Sequence, residues 1–230
     1  MPSRAARVTL LSFALGVVVV LILAATDERH LAFSLAVRAS EPGVEVRPGQ
    51  EACQRDIDVE ERFDSVTILP AAFYHPVPRL QLSVLDRASR RTIATGRLPD
   101  GHPENKATTI RLRPAIPKGR RVDVCFRNVG AWRVALFSGP GGDNEQSFGT
   151  RDGRFLESDI VIDFVRSKPR TTLSMIPDVF RRAALFHPSW VGAWTFWVLA
   201  AVLVLGVPAA LTRAVRAADQ TEPPGQGAPD

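Results

Sequence analysis

Two long runs of uncharged, mostly apolar residues lie near the two ends of the chain. Residues 8–25 carry no charge across 18 positions, and residues 190–211 carry none across 22. An α-helix needs roughly 20 apolar residues to cross the hydrocarbon core of a bilayer. The pattern therefore predicts two transmembrane helices. The first run also resembles a signal peptide, but its apolar core exceeds the usual length, which favours an uncleaved anchor and leaves cleavage open.

Charged and aromatic residues beside these runs predict their orientation. Arg4 and Arg7 precede the first run, and Arg213 and Arg216 follow the second. Positive flanks stay in the cytoplasm, so we expect a two-pass protein of the plasma membrane with both termini cytoplasmic and the central region extracytoplasmic. Tryptophan favours the membrane–water interface, which predicts that position for Trp190, Trp194 and Trp197.

Between the two runs, apolar and polar residues alternate in short segments. A period of two residues is typical of a half-buried β-strand. Turn signals rich in Gly and Pro separate the segments, which favours an antiparallel β-sandwich of the jelly-roll kind. The predicted strands are residues 30–38, 44–46, 52–59, 65–69, 80–85, 92–98, 108–112, 122–126, 132–137 and 160–165.

These patterns divide the chain into consecutive regions. Residues 176–186 have one apolar face, which predicts an amphipathic helix lying on the outer membrane surface or packed on the sandwich. The last residues are rich in Pro, Gly, Gln and acidic side chains, which predicts disorder. The regions are a cytoplasmic N-terminus (1–7), a first membrane helix (8–25), the β-sandwich (27–170), a juxtamembrane helix (172–187), a second membrane helix (190–211) and a disordered cytoplasmic tail (212–230).

Cys53 and Cys125 are the two cysteines of the chain, and both fall in predicted strands. Outside the cytoplasm such a pair is expected to be oxidised to a disulfide. Two unbridged thiols in the core are the alternative. A zinc site is not expected, because two cysteines supply half of the usual ligands.

The basic charge of the chain does not predict nucleic-acid binding. Between Asp27 and Ser189 there are 25 basic and 21 acidic residues, distributed in stretches of mixed sign. Nucleic-acid-binding proteins concentrate positive charge on one face. The local basic clusters are the pairs Arg90-Arg91, Arg120-Arg121 and Arg181-Arg182, which are typical of a solvated surface.

The sequence contains no recognisable catalytic motif. Nucleophile-elbow, phosphate-loop, zinc-protease and paired-cysteine patterns are absent from it. We therefore expect a protein that is not an enzyme and has no cofactor or metal. The acidic segment 143–159 offers oxygen ligands of the kind that calcium prefers, but its spacing matches no calcium-binding motif, so calcium is left open.

Aromatic residues in loops are the candidate ligand contacts. A sugar-binding surface needs an exposed aromatic face with polar groups nearby. Tyr74 and His75 lie in a proline-flanked loop, and Phe148 lies in the acidic segment. Trp132 is a further candidate, although its place at the start of an apolar strand favours packing in the core.

Four stretches of the chain resemble a known group of proteins. They are residues 46–54 (VRPGQEACQ), 63–69, 122–129 (VDVCFRNV) and 185–197 (LFHPSWVGAWTFW). They are similar to small two-helix membrane proteins of high-GC Gram-positive bacteria that accompany surface-polysaccharide glycosyltransferases. The resemblance implies an extracytoplasmic sandwich like a carbohydrate-binding module, a role in the cell envelope and no active site.

The function that these features favour is that of an accessory or binding protein of the envelope. Its partners would be the lipid bilayer and a glycan, or a membrane glycosyltransferase or exporter, and no nucleic acid. The alternative is a structural subunit of a membrane complex that contacts partners through its helices, where Gly192, Ala193 and Gly206 permit close packing. A third interpretation, an envelope hydrolase, is disfavoured because Glu60 and Glu61 are adjacent and would point to opposite faces of a strand.

Overall fold

The computed structural model describes residues 4–140, 147–185 and 191–221. The chain divides into two compact units. One unit, His30–Pro169, is built from β-strands. The other joins the terminal segments Met1–Arg29 and Arg170–Asp230 and is mainly helical.

The β-strands form two sheets that are mainly antiparallel. The larger sheet has ten strands in the order β1-β14-β4-β8-β7-β6-β9-β3-β11-β12, and the smaller has the order β13-β10-β2, with β5 also paired to β10. The strands are β1 Glu28–Ser34, β2 Glu41–Val46, β3 Glu51–Asp58, β4 Phe63–Ile68, β5 Pro70–Ala71, β6 Leu80–Asp86, β7 Thr92–Leu98, β8 Thr108–Ile116, β9 Arg121–Asn128, β10 Val134–Gly139, β11 Phe148–Arg151, β12 Arg154–Phe155, β13 Asp159–Ile160 and β14 Ile162–Thr171.

Alternation of side chains builds the core of the β unit. In β6, Leu80, Leu82 and Val84 are buried while Gln81 is exposed, as the two-residue period of a strand requires. Residues of both sheets belong to one buried cluster, with Val44 of β2 among the contributors from the smaller sheet. The mainly β architecture predicted from the periodicity is confirmed.

Three phenylalanine rings pack where β1, β4 and β14 adjoin. The Phe33 and Phe164 rings stack with centroids 4.2 Å apart, and Phe63 meets Phe164 edge-on at 4.8 Å. Such offset and edge-on contacts are favourable for aromatic rings beyond the area that they bury. The cluster fixes the edge of the larger sheet.

Cys53 and Cys125 form a disulfide, as predicted. They lie directly opposite each other on β3 and β9, and their Cα atoms are 4.0 Å apart. Both residues are buried. The bond joins positions 72 residues apart in sequence and ties the neighbouring strands β3 and β9 of the larger sheet together.

Three helices make up the second unit: α1 Arg4–Thr26, α2 Thr172–Leu185 and α3 Ala193–Thr221. Residues Arg7–Thr26 of α1 and Ala193–Ala214 of α3 are long and apolar enough to cross a membrane. The three helices contact one another. In α2, the Phe180 ring lies 5.6 Å from Phe196 and 5.0 Å from Trp197 of α3, measured between ring centroids.

Polar contacts fix the start of α2. The Thr171 hydroxyl accepts a hydrogen bond from the Ser174 N–H at 3.3 Å, the arrangement of an N-cap. The N–H and hydroxyl of Thr172 donate to the backbone oxygen and carboxylate of Asp27, which follows α1. The predicted juxtamembrane helix therefore packs against the other helices and is anchored at its first turn to the end of α1.

Several boundaries differ from the prediction. The disordered tail predicted from residue 212 is wrong for residues 212–221, which continue α3, because alanine, arginine and glutamine in this stretch are good helix formers. Strands β11 and β12 lie in the acidic segment that was read as a loop. Trp194 and Trp197 lie exposed on α3, and Arg213 is exposed near its end. Residues 186–190, with Trp190 among them, residues 222–230 and the side chain of Arg216 lie outside the described part of the chain.

Candidate functional site

Three loops meet where β6 begins and where β7 and β9 end. Leu80 of β6 pairs with Leu98 of β7 on one side and with Asn128 of β9 on the other. The connecting segments 72–79, 99–107 and 129–133 therefore leave the larger sheet at the same end. We call these three segments the aromatic end.

A single carboxylate shapes the first of these loops. Glu104 accepts hydrogen bonds from the backbone N–H groups of Ala72 at 3.0 Å and Tyr74 at 3.1 Å. Phe73 and Tyr74 both have positive φ values, 54° and 71°. Bulky residues rarely adopt this conformation, and each instance costs roughly 1–3 kcal/mol. The strained turn persists because Glu104 holds it.

The consequence of this turn is an outward-pointing aromatic ring. Tyr74 is 98% exposed, although a phenol ring ordinarily packs at least one face against its neighbours. The His75 N–H donates to the Ala72 carbonyl at 3.2 Å, which closes the turn and places His75 on the surface beside Tyr74. The structure thus presents the aromatic side chain to solvent at a cost in backbone strain.

Trp132 reaches the same surface from the segment between β9 and β10. Its indole N–H donates to the Pro76 carbonyl at 3.0 Å, and its own carbonyl accepts from the buried Asn128 side chain at 2.8 Å. Gly130 allows this loop to lie close to the first one, since a Cβ there would fall 2.5 Å from Pro78. These contacts orient the indole while leaving its residue 44% exposed.

The rings contact one another across the two loops. His75 and Trp132 stack with centroids 5.6 Å apart and planes 28° from parallel. The Arg133 guanidinium lies 4.5 Å above the Phe73 ring and 3.6 Å from the Glu45 carboxylate. We call Tyr74, His75 and Trp132 the aromatic platform.

Of the candidates predicted from the sequence, the structure brings His75 and Trp132 into contact, with Tyr74 as their neighbour in the chain. The interpretation of Trp132 as a core residue is wrong, because β10 begins two positions later, at Val134, and the burial starts there. Phe148 lies elsewhere, on β11, where it meets the Phe155 ring at 5.9 Å. Glu104 and Arg133 were missed, since no sequence pattern marks a carboxylate that accepts from backbone 30 residues away.

The described residues offer little support for a metal site. In that part of the chain, one group of three ligand-type side chains is close enough to share an ion: Glu51, Cys53 and Cys125. The two cysteines are disulfide-bonded and therefore supply no thiolate. In the acidic segment, Asp152 accepts from Gln50 and the Glu51 N–H, and Asp159 accepts from Gln54. Asp143, Asn144 and Glu145 lie outside the described residues.

The aromatic end can bind a ligand with flat apolar faces and polar edges. Exposed ring faces provide stacking, and Arg133 provides donors beside them. Arg79 and Asp100 add a second charged pair at this end, with nitrogen and oxygen 3.0 Å apart. The aromatic end thus places exposed rings and charged side chains on one surface of the described structure.

Neither a protein-family model nor a curated protein matches this sequence. The resemblance to two-helix proteins that accompany polysaccharide glycosyltransferases therefore stays a prediction.

Proposed function

We propose that the protein is a membrane-tethered binding protein of the cell envelope, whose β unit engages a glycan through the aromatic platform. The observation that carries the proposal is the 98% exposure of Tyr74, held by Glu104 in a strained turn next to the stacked His75 and Trp132. The apolar face of a sugar ring suits such a surface, and Arg133 would fix its orientation by donating to hydroxyl or carboxylate oxygens.

The placement in the envelope is part of the same proposal. The two apolar helices cross the plasma membrane, both termini are cytoplasmic, and the β unit is extracytoplasmic. The disulfide supports this placement, because structural disulfides persist in oxidising compartments. The flanking arginines of the two helices support the orientation.

We propose further that the two sheets pack face to face as a sandwich of the jelly-roll kind. Their residues enter one common buried cluster, and inner faces that interdigitate in this way are typical of a sandwich. Ligands of β-sandwiches are commonly bound by the loops at one end of the sheets, and the aromatic platform has that position.

A role in binding alone, without catalysis, completes the proposal. Glu61, one of the two adjacent glutamates considered for hydrolysis, lies 3.0 Å from the Arg166 guanidinium in a largely buried ion pair. The side chains of Arg166 and Glu61 are 10% and 12% exposed, so this carboxylate is covered by its partner and is not open to a substrate in solution.

The test is a glycan array probed with the full-length protein in detergent micelles, followed by titration calorimetry on the glycans that bind. Tyr74→Ala should weaken binding at least tenfold and leave folding unchanged, since the ring makes little contact with the protein. Phe155→Ala is the matched control: its ring is 69% exposed but lies on β12. Binding that is absent in the wild type, or reduced equally by both changes, would reject the proposal.

A second candidate is a subunit that contacts a membrane enzyme or exporter through its helices. Space over the backbone at Gly16 of α1 and Gly206 of α3 favours it, because a Cβ at either position would meet no other element of the described structure within 4 Å. Gly192 does not contribute, since the Trp194 ring lies 2.8 Å from the position of its Cβ. Affinity purification from native membrane should recover a partner with the wild type and lose it with Gly206→Leu; recovery of the same partner by both would exclude this contact.

A further inference from the structure

The sheet register brings together two basic pairs that lie far apart in the sequence. Asp86, the last residue of β6, pairs with Val122 of β9. The hairpin that carries Arg90-Arg91 therefore lies beside the turn that carries Arg120-Arg121. The Arg87 N–H donates to the Arg121 carbonyl at 2.9 Å, which joins the two turns directly.

A buried carboxylate collects three guanidinium groups at this place. Asp123 is fully buried, and one of its oxygens lies 3.0 Å from Arg55, 3.4 Å from Arg87 and 4.0 Å from Arg90. Its other oxygen accepts the backbone N–H of Asp56 at 2.9 Å. Three guanidinium groups from two segments of the chain therefore converge on one buried carboxylate.

Acidic and basic groups are arranged in layers. Asp123, Asp56 and Asp86 are buried or largely covered. Three arginines lie outside them: the Arg90 side chain is 64% exposed, and those of Arg120 and Arg121 are about half exposed. Arg55 and Arg87 are mostly covered, and Asp58 is the one aspartate of this group that is exposed, beside Arg121. Solvent therefore meets three guanidinium groups and one carboxylate, and the covered carboxylates contact the guanidinium groups of Arg90, Arg120 and Arg121.

The composition of these turns gives the site a net positive charge. Segments 55–58, 86–91 and 117–121, together with Asp123, contain seven basic residues against four aspartates. We call these residues the arginine end. The sequence alone predicted that these basic pairs belong to an ordinary solvated surface. The three segments lie far apart in the sequence, so their positive charges do not form a local cluster there.

We propose that the arginine end binds a phosphate group of a soluble or lipid ligand. A guanidinium presents its donors as a rigid fork that matches two oxygens of a phosphate, and arginines are the residues most often used for such recognition. A phosphate carries up to two negative charges, so it neutralises a converging set of arginines better than a carboxylate does. The site lies at the opposite end of the sheet from the aromatic platform and does not depend on glycan binding.

The test uses the full-length protein in phosphatidylcholine nanodiscs, titrated with inorganic pyrophosphate at physiological salt and followed by ³¹P NMR. Wild type should show saturable binding. Arg90→Gln should weaken it at least fivefold and retain the fold, because Arg90 is exposed and its contact with Asp123 is long. The double change Arg87→Gln with Arg90→Gln should abolish it.

The matched control is Arg97→Gln, which removes the same charge from an exposed position on β7 toward its other end. It should alter the affinity less than twofold. Absence of saturable binding by the wild type, or an equal loss with Arg97→Gln, would overturn the proposal, because the second result would indicate an effect of net charge alone.

A second arm distinguishes the source of the phosphate. Nanodiscs containing phosphatidylglycerol are compared with nanodiscs brought to the same charge by cholesteryl hemisuccinate, which has no phosphate. Weaker pyrophosphate binding in the phosphatidylglycerol discs alone identifies lipid headgroups as competing ligands of the site. Equal binding in both identifies a soluble phosphate ligand.

Discussion

The two ends of the larger sheet are built from the same strands and differ in how each is held. β6 and β9 begin or end at both, and the seven residues of β6 separate them by about 20 Å. At the aromatic end, one carboxylate accepts from backbone N–H groups and forces side chains outward. At the arginine end, carboxylates accept from guanidinium groups and fix charges in place. Backbone strain positions one surface, and electrostatic attraction positions the other.

The difference predicts how each end responds to mutation. The rings of the aromatic platform are exposed, so they can be removed without unfolding the protein, whereas the turn beneath them depends on Glu104. The outer arginines can likewise be removed, whereas the buried Asp123 cannot. In both cases the surface group and the buried residue that supports it can be changed separately.

Loss of the disulfide should cause the largest decrease in the free energy of unfolding. It should affect the aromatic end and the arginine end alike. Cys53 and Cys125 join β3 to β9 and close a loop of 72 residues. In the chain-entropy model such a loop contributes about 4 kcal/mol. Replacing both cysteines with alanine should lower the free energy of unfolding by that order, measured by urea denaturation and circular dichroism in micelles. A loss below about 1 kcal/mol would contradict the role assigned to the bond.

Asp123→Asn should cause the next largest loss in the free energy of unfolding, and it should disturb the arginine end. The mostly covered Arg55 and Arg87 and the exposed Arg90 would then face a neutral side chain, and breaking a buried ion pair typically costs about 3–5 kcal/mol. Asp58→Asn is the control: it removes an exposed partner of Arg121 and should cost less than about 1 kcal/mol. Equal effects of the two changes, measured by the same denaturation experiment, would show that burial of Asp123 is not what matters.

Glu104→Ala should destabilise the protein moderately and disturb the aromatic end alone. It removes the acceptor of the Ala72 and Tyr74 N–H groups, and hydrogen bonds to a charged group contribute about 1.5–3 kcal/mol each when they are well formed. Glycan affinity should fall together with stability, while pyrophosphate binding stays the same. Unchanged glycan affinity would mean that the strained turn does not position the platform.

Acidification should cause the smallest loss of stability, and this loss should begin only near the ordinary pKa of an aspartate. The hydrogen bonds that Ser89 donates through its N–H and hydroxyl lower the pKa of Asp86. Burial acts to raise the pKa of Asp64, but hydrogen bonds from Ser167 and Ser65 outweigh it and lower the pKa. Because both pKa values are depressed in the folded state, the stability that these groups contribute is complete above their ordinary pKa of 3.8 and is lost as pH falls below it.

Thermal denaturation between pH 7 and pH 2 measures this effect. The melting temperature should be nearly constant down to about pH 5 with respect to these groups and then decline. Asp64→Asn should lower the melting temperature at pH 7 and reduce the decline at low pH. A variant as stable as the wild type at pH 7 would contradict the contribution of the Ser167 contacts.

Much of the β unit was readable from the sequence because alternation reports burial directly. Leu80, Leu82 and Val84 follow the two-residue period, and the strand was predicted within one residue of its observed end. β11 and β12 were missed because glycine and charged residues interrupt any alternation there. The extension of α3 was missed because composition was averaged over a tail whose first part is rich in helix formers.

The candidate sites were less predictable, because both depend on which turns become neighbours. Tyr74 and His75 could be singled out as loop aromatics, but their stacking partner Trp132 reaches them from a segment more than 50 residues away. Asp123 reads as an ordinary strand residue, and its three arginines come from two other segments. Strand register and turn geometry bring these groups together, and a local sequence pattern predicts neither of them.

The measurement that tests the central claim most directly is a crossed titration of the full-length protein with a bound glycan from the array and with pyrophosphate. We expect Tyr74→Ala to weaken glycan binding at least tenfold and to leave pyrophosphate binding unchanged. Arg90→Gln should weaken pyrophosphate binding and leave glycan binding unchanged. Loss of both ligands with either change, or of neither with both, would contradict the assignment of separate binding surfaces to the two ends of the sheet.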